Sequence, residues 1–262
     1  MKSALWDAVC RVRDSGPLVH NITNFVVMNN TANALLAIGA SPVMAHAVEE
    51  VEDLVGLSGA LVINIGTLSV DWIAAMHLAA ARAGQAGVPW VLDPVGVGAT
   101  RYRNETAAEL TRRNPSVIRG NASEVMALAG AAAVTKGVDS TASSSDSLGL
   151  AQRLASSTGG VVAVTGATDY ITDGIRVHAV SNGHPMMARV TGLGCTASAL
   201  VGAFLAVEKD ALWATTFALA AFGVAGEIAA EKSAGPGSLQ VAILDALHNL
   251  DRTTLESRAR ID

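Results

Sequence analysis

Short runs rich in β-branched and apolar residues alternate along this chain with longer alanine-rich stretches whose apolar positions recur at helical spacing. Bounded by Gly, Pro or Asn, the short runs predict strands at 18–22, 42–45, 61–65, 90–95, 117–120, 161–165, 170–172 and 177–180. Helical spacing covers 25–38, 48–57, 70–86, 103–113, 122–129 and 147–157. Parallel neighbours need a crossover over the sheet, so this alternation predicts an α/β fold with helices on both faces of a mostly parallel sheet. Ile171-Thr172-Asp173-Gly174-Ile175-Arg176-Val177 breaks the rhythm: Asp-Gly between two β-rich runs signals a hairpin, and hence an antiparallel edge. Beyond Cys195 the pattern is helical only, with apolar helices at 196–207, 211–232 and 237–250 and no further strand expected.

Composition narrows this picture. The chain has 262 residues, 50% hydrophobic and 16% charged, enough apolar surface to cover both sides of one sheet and too much for disorder. One three-layer domain spanning 1–262 is expected. A net charge of -5, with 18 Lys and Arg spread thinly, lacks the basic stripe of a nucleic-acid surface, so a small ligand is expected. Cys10 and Cys195 cannot frame a disulfide scaffold, which predicts a reduced, cytoplasmic protein. Asp7, Arg11 and Arg13 interrupt residues 1–17, leaving no signal-peptide core, and 211–226 reads as a buried helix rather than a span. The serine-rich stretch 139–146 reads as a surface loop.

Candidate chemistry gathers where strands end, the edge at which open parallel sheets bind ligands. In Val190-Thr191-Gly192-Leu193-Gly194-Cys195-Thr196-Ala197 the glycines permit positive φ and close approach, and the first amides of the following helix lack partners, a geometry suited to phosphate. The same letters fit G-x-G-x-x-A, but a dinucleotide site needs a strand after the helix with an acid at its end; Glu208 and Asp210 fall between helices instead. Asp93, ahead of Pro94, either starts a turn or faces a Mg²⁺ on phosphate oxygens. Asn121 and Glu124 read as a capping pair, with Glu124 also able to serve a metal through water. Arg119 is then left as an unpaired guanidinium suited to bidentate phosphate contact, and Thr165-Gly166 either meets a nucleotide or simply turns the chain. No G-x-x-x-x-G-K-[ST] occurs, and the six histidines form no i, i+4 pair, which removes a P-loop and gives zinc hydrolysis no support. Of the histidines, His20 alone falls close to a candidate site.

Taken in order, His20-Asn21-Ile22-Thr23-Asn24, Gly39-Ala40-Ser41-Pro42-Val43-Met44, Asn64-Ile65-Gly66-Thr67, Asp93-Pro94-Val95-Gly96, Arg119-Gly120-Asn121-Ala122-Ser123-Glu124 and Val190-Thr191-Gly192-Leu193-Gly194-Cys195 closely resemble the hydroxyethylthiazole kinase family of the ribokinase-like superfamily. The resemblance spans nearly the whole chain; Leu193 departs from the small residue usual at the centre of the glycine turn. It implies ATP-dependent phosphorylation of the primary alcohol of 4-methyl-5-(2-hydroxyethyl)thiazole, with Mg²⁺, in thiamine synthesis or salvage. It further implies thiazole contacts at Met44 and Asn24, Gly192 beside the substrate, ATP contacts at Arg119 and Thr165, a metal side at Asp93 and Glu124, and a homotrimer with sites between subunits. Gly194 and Cys195 would flank the migrating phosphoryl group, Cys195 standing where the superfamily's sugar kinases carry an aspartate base. A helix N-terminus lowers a thiol pKa from about 8.5, while a neighbouring γ-phosphate opposes that. Two alternatives share the anion-binding turn: another enzyme of the superfamily, such as a hydroxymethylpyrimidine kinase or a hydrate dehydratase, and a non-catalytic thiazole or nucleotide sensor. The Met44 and Asn24 segments argue against the first, and Asp93, Glu124 and Cys195 together argue against the second.

Overall fold

The computed structural model describes residues 2–130 and 147–262, so the serine-rich stretch 139–146 lies outside the described residues. Eight strands occupy nearly the expected positions: β1 (Leu18–Ile22), β2 (Ser41–Val43), β3 (Ala60–Asn64), β4 (Trp90–Asp93), β5 (Val117–Asn121), β6 (Val161–Thr165), β7 (Asp169–Thr172) and β8 (Val177–Val180). They form one sheet in the order β2-β1-β3-β4-β5-β6-β7-β8. All neighbours from β2 through β6 pair in parallel, and β7 and β8 pair antiparallel as the expected edge hairpin.

Eleven α-helices accompany them among the described residues: α1 (Lys2–Ser15), α2 (Met28–Ile38), α3 (Val51–Leu57), α4 (Val70–Ala86), α5 (Arg101–Thr111), α6 (Ala122–Leu128), α7 (Leu148–Thr158), α8 (Leu193–Leu205), α9 (Ala211–Glu231), α10 (Pro236–His248) and α11 (Arg252–Arg258). Helix starts follow the capping chemistry: Ser69, Thr100 and Asp210 each accept a backbone N–H from the first turn of α4, α5 and α9. The pleat sorts the strands between two cores. Val62, Val91, Val117 and Ala163 face the layer of α1, α2 and α8–α11, while Leu61, Leu92, Ile118 and Val162 face α3–α7. Helix α9 is long and apolar enough to cross a membrane, yet most of it is buried inside the fold, as expected for 211–226.

Three expectations need correction. Helix α8 begins at Leu193 rather than after Cys195, because Gly192 already supplies the left-handed cap. Strand β2 stops at Val43, which leaves Met44 beyond it. The region after Cys195 is not wholly helical: Ile261 bridges Val180 antiparallel, adding a backbone contact outside β8.

Candidate active site

Pleat parity decides which side chains reach the site. Asn64, Asp93, Arg119 and Thr165 each lie two residues beyond a core residue that faces α8, so each emerges on the α8 side at a strand's carboxyl end. Asn64 sits opposite Asp93, and the ladder Val91↔Val117, continued by one pleat, brings Arg119 beside Asp93.

The first turn of α8 meets this row. Its first helical bond runs from the Thr196 N–H to the Gly192 carbonyl (2.8 Å), so the amides of Leu193, Gly194 and Cys195 precede the hydrogen-bonded ladder. Gly192 has φ 81°, and a β-carbon there would stand 2.6 Å from Val27 Cγ1. At Gly194 a β-carbon would stand 2.8 Å from Arg119 Nη1; the guanidinium therefore lies across the mouth of α8. Helix terminus and guanidinium are both positive, so their repulsion is relieved when an anion enters between them.

Asp93 is fully buried. Its Oδ2 accepts from Asn64 Nδ2 (2.8 Å) and Ser198 Oγ (2.8 Å) and lies 3.9 Å from Arg119 Nη1; its Oδ1 has no partner among the described residues. Burial raises the pKa of this carboxyl, and Arg119 and the two hydrogen bonds oppose the rise. Asn64 Oδ1 in turn accepts from Asn24 Nδ2 and the Gly66 N–H, both at 2.9 Å, and Asn24 Nδ2 is 3.6 Å from Cys195 Sγ. Burial, and then the Asp93 carboxylate, push the Cys195 thiol up to about 12. Burial thus outweighs the lowering that a helix N-terminus exerts on a thiol, and the side chain at neutral pH is a thiol.

Arg119 is not unpaired. It donates from Nη2 to Thr165 Oγ1 (2.5 Å), while its buried Nε lacks a partner among the described residues. Asn121 and Glu124 form the expected capping box, and both Glu124 oxygens are engaged: Oε1 accepts from the Gly96 N–H and Oε2 from the Asn121 N–H, each at 2.9 Å. Burial and the neighbouring Asp93 charge raise Glu124 to about 7. Among the described residues no group of three His, Cys, Asp or Glu side chains builds a protein cage for a metal. The unpartnered Asp93 Oδ1, with a second carboxyl beside it, still fits Mg²⁺, which keeps waters and phosphate oxygens and takes one or two carboxylates; Glu124 would act through water.

Met44 is half-buried just past β2, and Asn24 follows the neighbouring strand β1, so the two border the same end of the sheet. His20 donates from Nε2 to the Ala45 carbonyl (2.8 Å), and burial lowers its pKa, which makes it a neutral structural imidazole. On the other side of Arg119 a cavity of about 500 Å³ runs past Thr165, Gly166 and Asp169 to Asn182, Leu219 and Phe222. Asn64, Ser198, Asp169 and Asn182 were not singled out for roles from the sequence. Ser198 carried a signal, being a hydroxyl inside an apolar helix and one turn from Cys195.

Polar strand ends converging with a phosphate-seeking helix terminus, beside a cavity large enough for a nucleotide, define a small-molecule kinase of the ribokinase-like fold. The pyridoxal kinase from Staphylococcus aureus in complex with ADP shares that fold, with a TM-score of 0.64 over 81% of this chain and 88% of its own at 16% identity. The model of the hydroxyethylthiazole kinase family matches residues 9–253, and the chain belongs to that family. It is 59% identical over 249 residues to the hydroxyethylthiazole kinase of Granulibacter bethesdensis, covering 95% of this chain and 91% of that one. The structure of hydroxyethylthiazole kinase from Pyrococcus horikoshii OT3 matches with a TM-score of 0.92 at 46% identity, over 99% and 98% of the two chains.

One consequence is open to titration. Burial pushes Asp169 up to about 6, against the lowering effect of the Gly166 N–H and Arg119. Between the unfolded value of 3.8 and about 6 the native state binds more protons than the unfolded chain, so this residue's contribution to stability falls as pH rises through that window. Asp169→Asn is expected to make the melting temperature of ligand-free protein fall less from pH 4 to 7 than in the parent. Parallel curves would show that Asp169 titrates normally.

Proposed function

We propose that this chain transfers the γ-phosphoryl group of ATP to the hydroxyethyl oxygen of 4-methyl-5-(2-hydroxyethyl)thiazole, in thiamine biosynthesis or salvage. The single observation that carries the reading is the meeting of the α8 amides with Arg119 between two subsites, one bordered by Asn24 and Met44 and the other being the Thr165–Asp169 cavity.

Phosphoryl transfer asks the protein mainly to align the alcohol with the γ-phosphorus and to stabilise charge on the equatorial oxygens. In this reading the cavity takes ATP, with Arg119 and Thr165 on its phosphates, and Met44, Asn24 and Gly192 hold the thiazole alcohol. The amides from Gly192 through Cys195 cradle the phosphoryl group in transit; one donor of such a hole is worth roughly 100-fold or more in rate. Mg²⁺, taken by Asp93 and through water by Glu124, would supply neutralisation of phosphate charge. Cys195 sits at the transfer point as a neutral thiol and orients the alcohol. In a loose transition state that alcohol gives up its proton late, so a strong base adds little.

The working unit in this proposal is a homotrimer of one-domain subunits in the cytoplasm, with thiazole sites completed between subunits. Exposed apolar side chains at that end of the sheet support it: Phe25 is 70% exposed, Val26 62% and Val70 77%, and the Phe25 ring packs on Trp72.

A coupled ADP-release assay tests the assignment, with the thiazole alcohol and hydroxymethylpyrimidine offered separately. Turnover is expected with the thiazole only, from protein that sediments as a trimer; a preference for the pyrimidine, or no turnover with either, would sink it, and a monomer active at assay concentration would remove the shared site. Arg119→Ala is expected to raise the KM for ATP by about 10- to 100-fold, the value of a charge-assisted hydrogen bond or two. An unchanged KM would take Arg119 out of the site. Cys195→Ala is expected to slow turnover by about tenfold, less than the loss of a full general base, while Cys195→Asp equals or exceeds the parent. Lost nucleotide affinity with unchanged turnover in Cys195→Ala would contradict that role.

A further inference from the structure

The wall of the cavity assigned to ATP is not held by the sheet. Asn182, Gly183, His184 and Pro185 form it, and they follow β8 at the outer edge. One stripe of α9 lies beneath. Leu219, Phe222 and Gly223 line the cavity floor, a β-carbon at Gly223 would stand 2.6 Å from Asn182 Cβ, and one at Gly226 would run into the Met187 thioether. These residues recur at helical spacing, and the next on that stripe is Glu227.

Glu227 is mostly buried, and a single oxygen, Oε1, accepts from the Gly183 N–H (2.9 Å), Asn182 Nδ2 (3.1 Å) and Arg260 Nη2 (2.5 Å). Arg260 also donates from Nη2 and Nε to the Ser181 carbonyl (2.6 and 3.1 Å), and its backbone N–H meets Asn182 Oδ1 (2.7 Å). Around it, Ala179 and Asp262 exchange backbone bonds, the Ser181 N–H donates to the Arg260 carbonyl, and Ile261 bridges Val180. The wall is joined to its opposite number as well: Ser181 Oγ lies 3.2 Å from Thr168 Oγ1, in the turn that carries Gly166 and Asp169. Exposed ion pairs contribute little on their own. Here the pair also fixes a backbone amide, an amide side chain and a carbonyl of one loop.

We infer that Glu227 and Arg260 are positioning residues for the nucleotide: together they clamp the 181–185 loop against α9 and so set the width of the ATP cavity without touching the reacting atoms. The inference rests on the assignment of that cavity to ATP.

Steady-state kinetics with both substrates, together with ADP titration by calorimetry, test it on the full-length protein. Arg260→Ala is expected to raise the KM for ATP about fivefold and weaken ADP by a similar factor, with kcat within about twofold and the KM for the thiazole alcohol unchanged. Arg260→Lys, which can still donate to Glu227, should recover most of the loss. If Arg260→Ala does not fold, Glu227→Gln carries the test: it keeps the shape and an acceptor oxygen but gives up the charge, and a smaller rise in the same constant is expected. Unchanged ATP constants in the folded variants, or equal rises for both substrates, would overturn the clamp. Arg119→Ala separates the two readings. Weaker ADP binding in that variant with parental binding in the clamp variants removes the clamp alone; parental ADP binding in all of them removes the cavity's assignment and the clamp with it.

Discussion

Asp93 is a carboxylate taken out of water, at a cost on the order of several kcal/mol unless other groups replace the lost hydration. The replacements come from three separate elements: Asn64 from β3, Ser198 from α8 and Arg119 from β5. Satisfying this one side chain therefore fastens the first turns of α8 to the carboxyl end of the sheet. Asn64 passes the constraint on to Asn24 and the Gly66 amide, and so to the chain leaving β1 and β3. The parts that would receive the two substrates are held in place by groups that also solvate a buried charge.

Opposite charges are balanced over a short distance here. Arg119 and the α8 terminus are positive, Asp93 and Glu124 acidic; burial raises the Asp93 carboxyl, while burial and then the Asp93 charge raise Glu124. Glu124 shows how one residue answers two demands. Its backbone bonds make it a helix cap, and its place beside Asp93 makes it part of the site's field. The Cys195 thiol, raised by the same burial and the same neighbour, is the uncharged member of the group.

Most of the fold was legible because most strands are short runs rich in β-branched and apolar residues framed by turn residues, and Asp173-Gly174 marked the edge hairpin. Helix α1 was harder to read, since Trp6 and Cys10 sit among charged residues and its buried stripe is only Leu5, Ala8, Val9 and Val12. Ile261 could not be assigned to the sheet edge, because an isolated bridge leaves no repeating pattern. In the site, Asp93, Arg119 and Thr165 stood out as polar residues near strand ends, and Glu124 as the capping partner of Asn121. The Arg119–Thr165 bond did not, because it joins residues 46 positions apart whose meeting depends on the β5–β6 register. The same holds for the thiol: its position at a helix start was visible in the sequence, while the burial that governs its protonation was not.

Pleat parity has a consequence for how such a chain can drift. Valine, isoleucine and leucine can exchange within β3, β4, β5 or β6 at modest cost as long as volume is kept. Insertion or deletion of one residue inside any of these strands would rotate its terminal polar group to the α3–α7 layer, leaving an apolar side chain against α8 and stranding a polar one in the opposite core. Divergence in this architecture is thus free in composition but quantised in length, and changes of chain length are confined to the connections.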